Sequence, residues 1–335
     1  MTAPIRLFDQ GHHAMSGLLA TGAPVFLCVN PVEYHGPHLS LHNDRLISEG
    51  VARDLFERLR ANANADWPFL LGEDLEIGVD PAPGPGTRFT PFRRARRLVV
   101  EACDALAEAG AQRVVLVTWH GGALHGHALA AGAEHLRRRG VLAACPFEVL
   151  LHKLVDLGDP QEYADAVAVI EDPTERADVL ATLDLDFHAG FFETSLALHY
   201  AADSVDPCFR ALPDCPVWGT DRSLMALGRV VSRTGLARIG TDIQFAARAA
   251  GWGALRPFPG YTGRPRHADA EAGRCFAAHA LAAFVPAIEA SWRGEAPIGP
   301  TMGWLRTLTL GGLVPLGRNL RRDQVLPAPD APTGA

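Results

Sequence analysis

Between Pro24 and Pro31 the chain reads Val-Phe-Leu-Cys-Val-Asn, an apolar run without alternation that proline bounds on both sides. A strand apolar on both faces belongs inside a parallel sheet, where helices cover it above and below. Helical spacing follows: Asn43 or Asp44 can start a helix carrying Leu46, Ile47, Val51, Leu55 and Leu59. The alternation then repeats. A strand is expected from Phe69 toward Val79, a helix over about 91–110 and a strand at Arg113–Thr118. A helix over about 126–139 and a strand at Val141–Cys145 complete the series. Between them Asp80–Gly86 is too rich in proline and glycine to be either. This order predicts a parallel sheet covered on both faces.

In such sheets catalytic groups gather beyond the carboxyl ends of the strands. Glu33, His35 and Asp44 follow the first strand in Glu33-Tyr34-His35-Gly36-Pro37-His38-Leu39-Ser40-Leu41-His42-Asn43-Asp44, and His120 follows Arg113–Thr118 in Thr118-Trp119-His120-Gly121-Gly122. A third segment, His188-Ala-Gly-Phe-Phe-Glu193-Thr-Ser, precedes an apolar helical pattern. Nitrogen and oxygen donors without thiolate suit zinc, manganese, iron or cobalt, and a carboxylate such as Asp44 can bridge two ions. Each residue also has a plainer reading. Glu33 can form a buried ion pair, His35 can cap a loop, and His120 can bond a carbonyl in a glycine turn. Glu193 can simply start a helix, where the macrodipole favours a carboxylate and Thr194 or Ser195 can cap. His188 and Glu193 are five residues apart, so they converge only if Ala189-Gly190 is a loop-to-helix junction. Trp119 is either a core aromatic or the wall of a pocket.

Composition removes other classes. The 335 residues include 48% hydrophobic and 21% charged residues, enough for one large core. A net charge of −7 and no long basic run argue against nucleic acid. No apolar run reaches the ~20 residues of a membrane span and no signal-like start is present, so a cytoplasmic protein is expected. Six scattered cysteines, with no Cys-x-x-Cys pair, are read as reduced, although the nearest pair, Cys208 and Cys215, could bridge in an oxidising compartment. The acidic, alanine-rich stretch Asp156–Asp186 is expected to be a helical insertion or lid, and a last helix covers about 268–292. The final ten or so residues are expected to be disordered.

Together these segments resemble the creatininase (creatinine amidohydrolase) family. The shared features are the Glu-x-His-Gly-Pro-His stretch with its Asp, the His-Gly-Gly turn and the His-Ala-Gly-x-x-Glu-Thr-Ser segment, joined by Gly260-Tyr-Thr-Gly-Arg-Pro. The resemblance makes residues 1–293 a creatininase-like metallohydrolase domain and 294–335 a C-terminal extension. It implies a three-layer α/β/α sandwich with a mainly parallel sheet and a dinuclear centre. Glu33 and His120 would hold one ion, His35 and Glu193 the other, and Asp44 would bridge, with zinc expected first and manganese or iron as alternatives. His188 matches a histidine that contacts substrate or the attacking water. The substrate pocket is expected to include Tyr34, Trp119, Gly121 and Gly122. Family members cleave non-peptide amide bonds, often in cyclic molecules, and several form hexamers, so a homo-oligomer is expected.

Departures point to a divergent member. Trp119 stands where the family has Gly, Ala123 where it has Asn, and Gly122 where creatininase itself has an acid/base glutamate. Creatinine is therefore not the expected substrate. The expected activity is hydrolysis of a C–N, amide-like and cyclic bond in a small molecule by a hydroxide bridging two metals. The alternatives are cleavage of a C–C or lactone bond at the same centre, or a catalytically silent metal-binding scaffold.

Overall fold

The computed structural model describes residues 3–155, 159–313 and 317–329. Strands β1 (Ile5–Arg6), β2 (Val25–Asn30), β3 (Leu70–Glu76), β4 (Arg113–Val117) and β5 (Leu142–Ala144) form one sheet in the order β1-β3-β2-β4-β5, parallel throughout. β2 is its centre: Val25 pairs with Leu70 on one side and Val114 on the other, and all six residues are buried. That position explains the lack of polar alternation.

The helices are α1 (His12–Ala20), α2 (Asn43–Ala63), α3 (Phe92–Ala109), α4 (Ala123–Arg138), α5 (Phe147–Val155), α6 (Ala164–Val167), α7 (Pro173–Ala181), α8 (Phe191–Ala201), α9 (Arg222–Arg233), α10 (Ala237–Gly253), α11 (Ala270–Trp292) and α12 (Trp304–Leu308). On one side of the sheet α3 packs against α1 and α4, and on the other α2, α8 and α11 pack together, which makes an α/β/α sandwich. In α3 the buried residues Phe92, Ala95, Val99, Ala102, Cys103 and Leu106 recur every three or four positions and supply the core stripe. From α2, Phe56 stacks on Phe69, which meets Phe26 of β2 edge-on.

Several elements differ from the sequence reading. α4 begins three residues before Gly126, because Gly122 is its N-cap and the glycine turn runs straight into the helix. Periodicity gave no warning of α1, α5, α9 or α10. The stretch expected from Asp156 carries the short helices α6 and α7 joined by irregular turns, while 156–158 lie outside the described residues. Beyond Arg293 the chain lies against the body: Thr301 N bonds Glu148 and Asn319 Oδ1 accepts from Gly84 N. Leu326 N bonds the Phe258 carbonyl, and the last part of the tail expected to be disordered, 330–335, lies outside the described residues. All six cysteines are free, Cys208 and Cys215 included. α11 is long and apolar enough to cross a membrane, but its face from Ala272 to Ile288 is packed in the core.

α8 and α11 approach closely because Gly273 has no side chain; a methyl there would overlap the Ser195 backbone. Gly273→Ala is therefore expected to destabilise the fold by about 1–3 kcal/mol, as overpacking of a tight contact does. Gly17→Ala, with open space at its helix surface, should be neutral or slightly stabilising. Denaturant melts of the two variants check this pair, and equal midpoints would contradict the packing account.

Candidate metal centre

The carboxyl ends of β2, β3 and β4 open onto one point. After Asn30 the chain leaves the sheet, and the Glu33 amide bonds the Leu41 carbonyl, so 33–41 closes as a loop before α2. Gly36, at φ +67°, makes the bend that lets Glu33 and His35 face the same side. Asp44 stands in the first turn of α2, His120 just beyond β4, and Glu193 in the first turn of α8. Ala189 at φ +47° and Gly190 as N-cap form the junction that turns His188 and Glu193 toward each other.

The sequence-predicted ligands converge. Asp44 Oδ1 lies 3.0 Å from His35 Nε2 and Asp44 Oδ2 lies 3.7 Å from His120 Nδ1. Glu33 Oε2 is 2.8 Å from His120 Nδ1, and Glu193 Oε2 is 3.8 Å from His35 Nε2. His188 stacks on His35 with ring centroids 4.3 Å apart, and its Nδ1 is 3.9 Å from Glu33 and 4.0 Å from Glu193. Two triads, Glu33–His35–Asp44 and His35–His188–Glu193, have ligand atoms mutually within 4.8 Å, so His188 stands as near the centre as the expected ligands.

The other edge of each imidazole settles what this arrangement fits. His35 Nδ1 is 3.2 Å from the Glu33 carbonyl, His120 Nε2 is 3.0 Å from the Val79 carbonyl, and His188 Nε2 is 3.0 Å from the Tyr34 carbonyl. A carbonyl only accepts, so each ring donates its N–H outward and turns its remaining nitrogen inward. Inward lone pairs then face carboxylate oxygens. Among the described residues Glu33 Oε2, His35 Nε2 and both Asp44 oxygens make no hydrogen bond, although Glu33, His35 and Asp44 are 1–2% exposed. Lone pairs pointed at carboxylates in a dry pocket need a cation between them, and imidazoles held outward by carbonyls are the usual support of metal-binding histidines. The donor set fits divalent metal.

Charge tells the same story. His35 is desolvated, yet Asp44, Glu33 and Glu193 push it up to about 10. His120, also desolvated, is pushed up to about 9 by Glu33 and Asp44. Burial alone would raise Glu33, but His120 and His35 hold it down at about 2. Burial and the neighbouring Asp44 carboxylate raise Glu193. Burial, reinforced by His35, drives His188 well below the usual imidazole value. Without other cations, protons on His35 and His120 must neutralise the carboxylates; a metal supplies that charge and frees the nitrogens.

Residues not singled out from sequence hold the frame. Asn30 Oδ1 accepts from Ser48 Oγ at 3.0 Å, Thr118 Oγ1 at 3.2 Å and the Trp119 amide at 3.0 Å, tying β2 to α2 and to the end of β4. A polar residue ending an otherwise apolar strand was the available signal. Thr262 Oγ1 accepts from the Phe187 and His188 amides, and His38 Nε2 contacts Thr194 Oγ1 at 2.9 Å. The start of α8 is capped by Asp186, whose Oδ2 accepts from Phe191 N, rather than by Thr194 or Ser195, which bond other partners. Of the expected pocket residues, Trp119 and Gly121 line a hollow beside Glu193, together with Leu183, Asp184 and Asp186 from the stretch that precedes His188. Tyr34 and Gly122 are not in its wall. The Tyr34 ring packs beside Gly84 and Gly260, and Gly122 lies against the His120 ring.

A sequence profile described as creatininase (creatinine amidohydrolase) matches residues 13–288. No curated protein matches the chain. Among solved structures, "Creatininase Mn" is similar with a TM-score of 0.53 at 18% identity, covering 87% of this chain and 99% of its own. A crystal structure of creatinine amidohydrolase gives 0.51 at 18% identity over 87% and 98%. A putative creatinine amidohydrolase from Bacteroides fragilis gives 0.53 at 17% identity over 81% and 90%. At these identities the likeness speaks to the fold.

Because a metal bound to the folded chain stabilises it over the unfolded one, stripping it with a chelator is expected to lower the melting temperature, and adding divalent ions to restore it. Asp44→Ala should bind less metal than the native chain in elemental analysis. A melting temperature indifferent to chelator, in a preparation shown to contain metal beforehand, would remove the cluster's claim to be a metal site.

Proposed function

The chain belongs to the creatininase family of metal-dependent amidohydrolases, and we propose that it hydrolyses a non-peptide, amide-like C–N bond, cyclic in its natural substrate, in a small molecule. The observation that carries this reading is Asp44, which turns one oxygen to His35 and the other to His120. A single carboxylate between two imidazoles is the arrangement a bridging ligand needs. Glu33 and His120 would hold one ion and His35 and Glu193 the other. Zinc is the first expectation and manganese or iron the alternatives, in keeping with similar proteins whose structures are named for manganese and zinc forms. When bound, such a pair makes water nucleophilic near neutral pH and polarises a carbonyl.

The chain's own residues supply the rest. Tyr34 O fixes the tautomer of His188, so its Nδ1 faces the centre as a proton acceptor, and the Trp252 ring at 5.2 Å and the His35 ring hold its plane. Burial keeps that imidazole neutral, ready to take a proton from the attacking water and return it to the leaving nitrogen. The Glu33 carboxylate is anchored through Oε1 to the Ala82 amide and Glu193 through Oε2 to the Ala189 amide, so neither can swing away. The buried walls exclude bulk water, which strengthens every charge interaction inside.

Two tests separate binding from chemistry. Elemental analysis of the reconstituted chain should find close to two ions; a value near one would withdraw the bridging role of Asp44. His188→Ala is expected to keep its metal and to lose about 10²–10⁴-fold in rate, the usual worth of a positioned acid–base group. Turnover of a panel of cyclic amides, ureas, imides and lactones identifies the leaving atom, and lactone turnover without amide turnover would overturn the C–N assignment.

A further inference from the structure

The hollow beside Glu193 says what kind of molecule the centre receives. It encloses about 120 Å³, and Trp119, Phe147, Leu151, Leu154, Phe192 and Phe276 make most of its wall. The aromatic rings brace one another: Trp119 meets Phe147 edge-on at 5.6 Å, and Phe192 meets Phe276 edge-on at 4.8 Å. Glu193 and Gly121, one a proposed ligand and the other the neighbour of His120, lie in the same wall, so the hollow opens where the reacting bond would sit. Charged groups stand at its edge in pairs: Lys153 with Glu162 at 2.9 Å and Asp184 with Arg248 at 3.5 Å. Two buried carboxylates line it: Glu193, and Asp186, whose Oδ2 accepts from the Phe191 amide while its Oδ1 makes no hydrogen bond among the described residues. No buried cation faces inward among the described residues of the wall.

We propose that the substrate carries an apolar substituent the size of a phenyl ring or a branched chain of about five carbons, seated in this hollow beside the reacting bond. The inference rests on the amidohydrolase reading above and deepens it. Apolar hollows of about 150 Å³ lined by Leu and Phe accept benzene, and this one is of that order. A small, wholly polar substrate would leave this wall wet and unused. The edges of the surrounding rings carry partial positive charge and suit the face of a further aromatic ring.

The test uses metal-loaded, full-length protein and two hydroxamates, which chelate metal and are not substrates. Calorimetric titration should show phenylacetohydroxamate binding about 100-fold more tightly than acetohydroxamate, the gain expected from burying a phenyl group. In Leu154→Trp, whose indole fills the hollow, that ratio should fall to about threefold or less; because it compares two ligands on one variant, general weakening of the site cancels. Should Leu154→Trp fail to fold by circular dichroism, Leu150→Trp blocks the same wall. If the native chain binds both hydroxamates equally, the substituent proposal is overturned while the metal reading stands. If neither binds in a metal-dependent way, the metal reading fails and takes this proposal with it.

Discussion

Three carboxylates and three imidazoles share one dehydrated pocket, and each imidazole spends its outward N–H on a backbone carbonyl. The surrounding structure is organised by that constraint. Left to itself the cluster is unfavourable, since buried carboxylates cost several kcal/mol each unless paired. The sandwich offsets this by rigidity, fixing the donors beyond the ends of β2 and β4 and at the starts of α2 and α8, where repulsion cannot push them apart. A cation then meets a site already arranged, with little reorganisation left to do.

Asn30 shows how little material this takes. One side-chain oxygen receives hydrogen bonds from α2, from Thr118 and from the Trp119 amide, so the segments bearing Glu33, Asp44 and His120 share a single anchor at the end of the central strand. Thr262 does the same for His188 from the far side of the pocket, and Asp186 for the helix that carries Glu193. These polar groups make no chemistry. Their work is to hold angles, and their hydrogen bonds are costly to lose because the groups are buried.

The parallel sheet was readable because β2, β4 and β5 are largely apolar runs separated by helical spacing, and the donors were readable because their residue types are scarce in such runs. The structure places all five proposed ligands and His188 in one cluster. What the sequence did not disclose has physical reasons. α9 and α10 lean mainly on each other, so their apolar positions do not report a sheet to cover. Asn30 and Thr262 act through hydrogen bonds to residues far away in sequence and Asp186 through one to the start of the next helix, and such pairings leave no periodic trace. Trp119 posed a choice between core and pocket wall, and the structure dissolves it. Its indole is buried against Phe147 and Phe192 and also lines the hollow, because there the core itself is the wall.

Gly122 departs from the family pattern. The resemblance to creatininase places an acid/base glutamate at that position, and its loss could be read as a degraded site. The backbone argues otherwise: a Cβ on Gly122 would sit 2.5 Å from His120 Nε2 and 2.6 Å from the Val79 carbonyl. Those two atoms are the pair that fixes the His120 tautomer, so any side chain there would break the support of a proposed ligand. In this chain the turn has closed down where another member keeps a carboxylate. The adjoining Trp119 has meanwhile replaced glycine with a large apolar face, and His188, locked by the Tyr34 carbonyl, is left as the titratable group beside the ligands that has a free inward lone pair. On the substrate proposed above, loss of the glutamate and gain of the indole would be two sides of one change, toward a pocket that seats an apolar group.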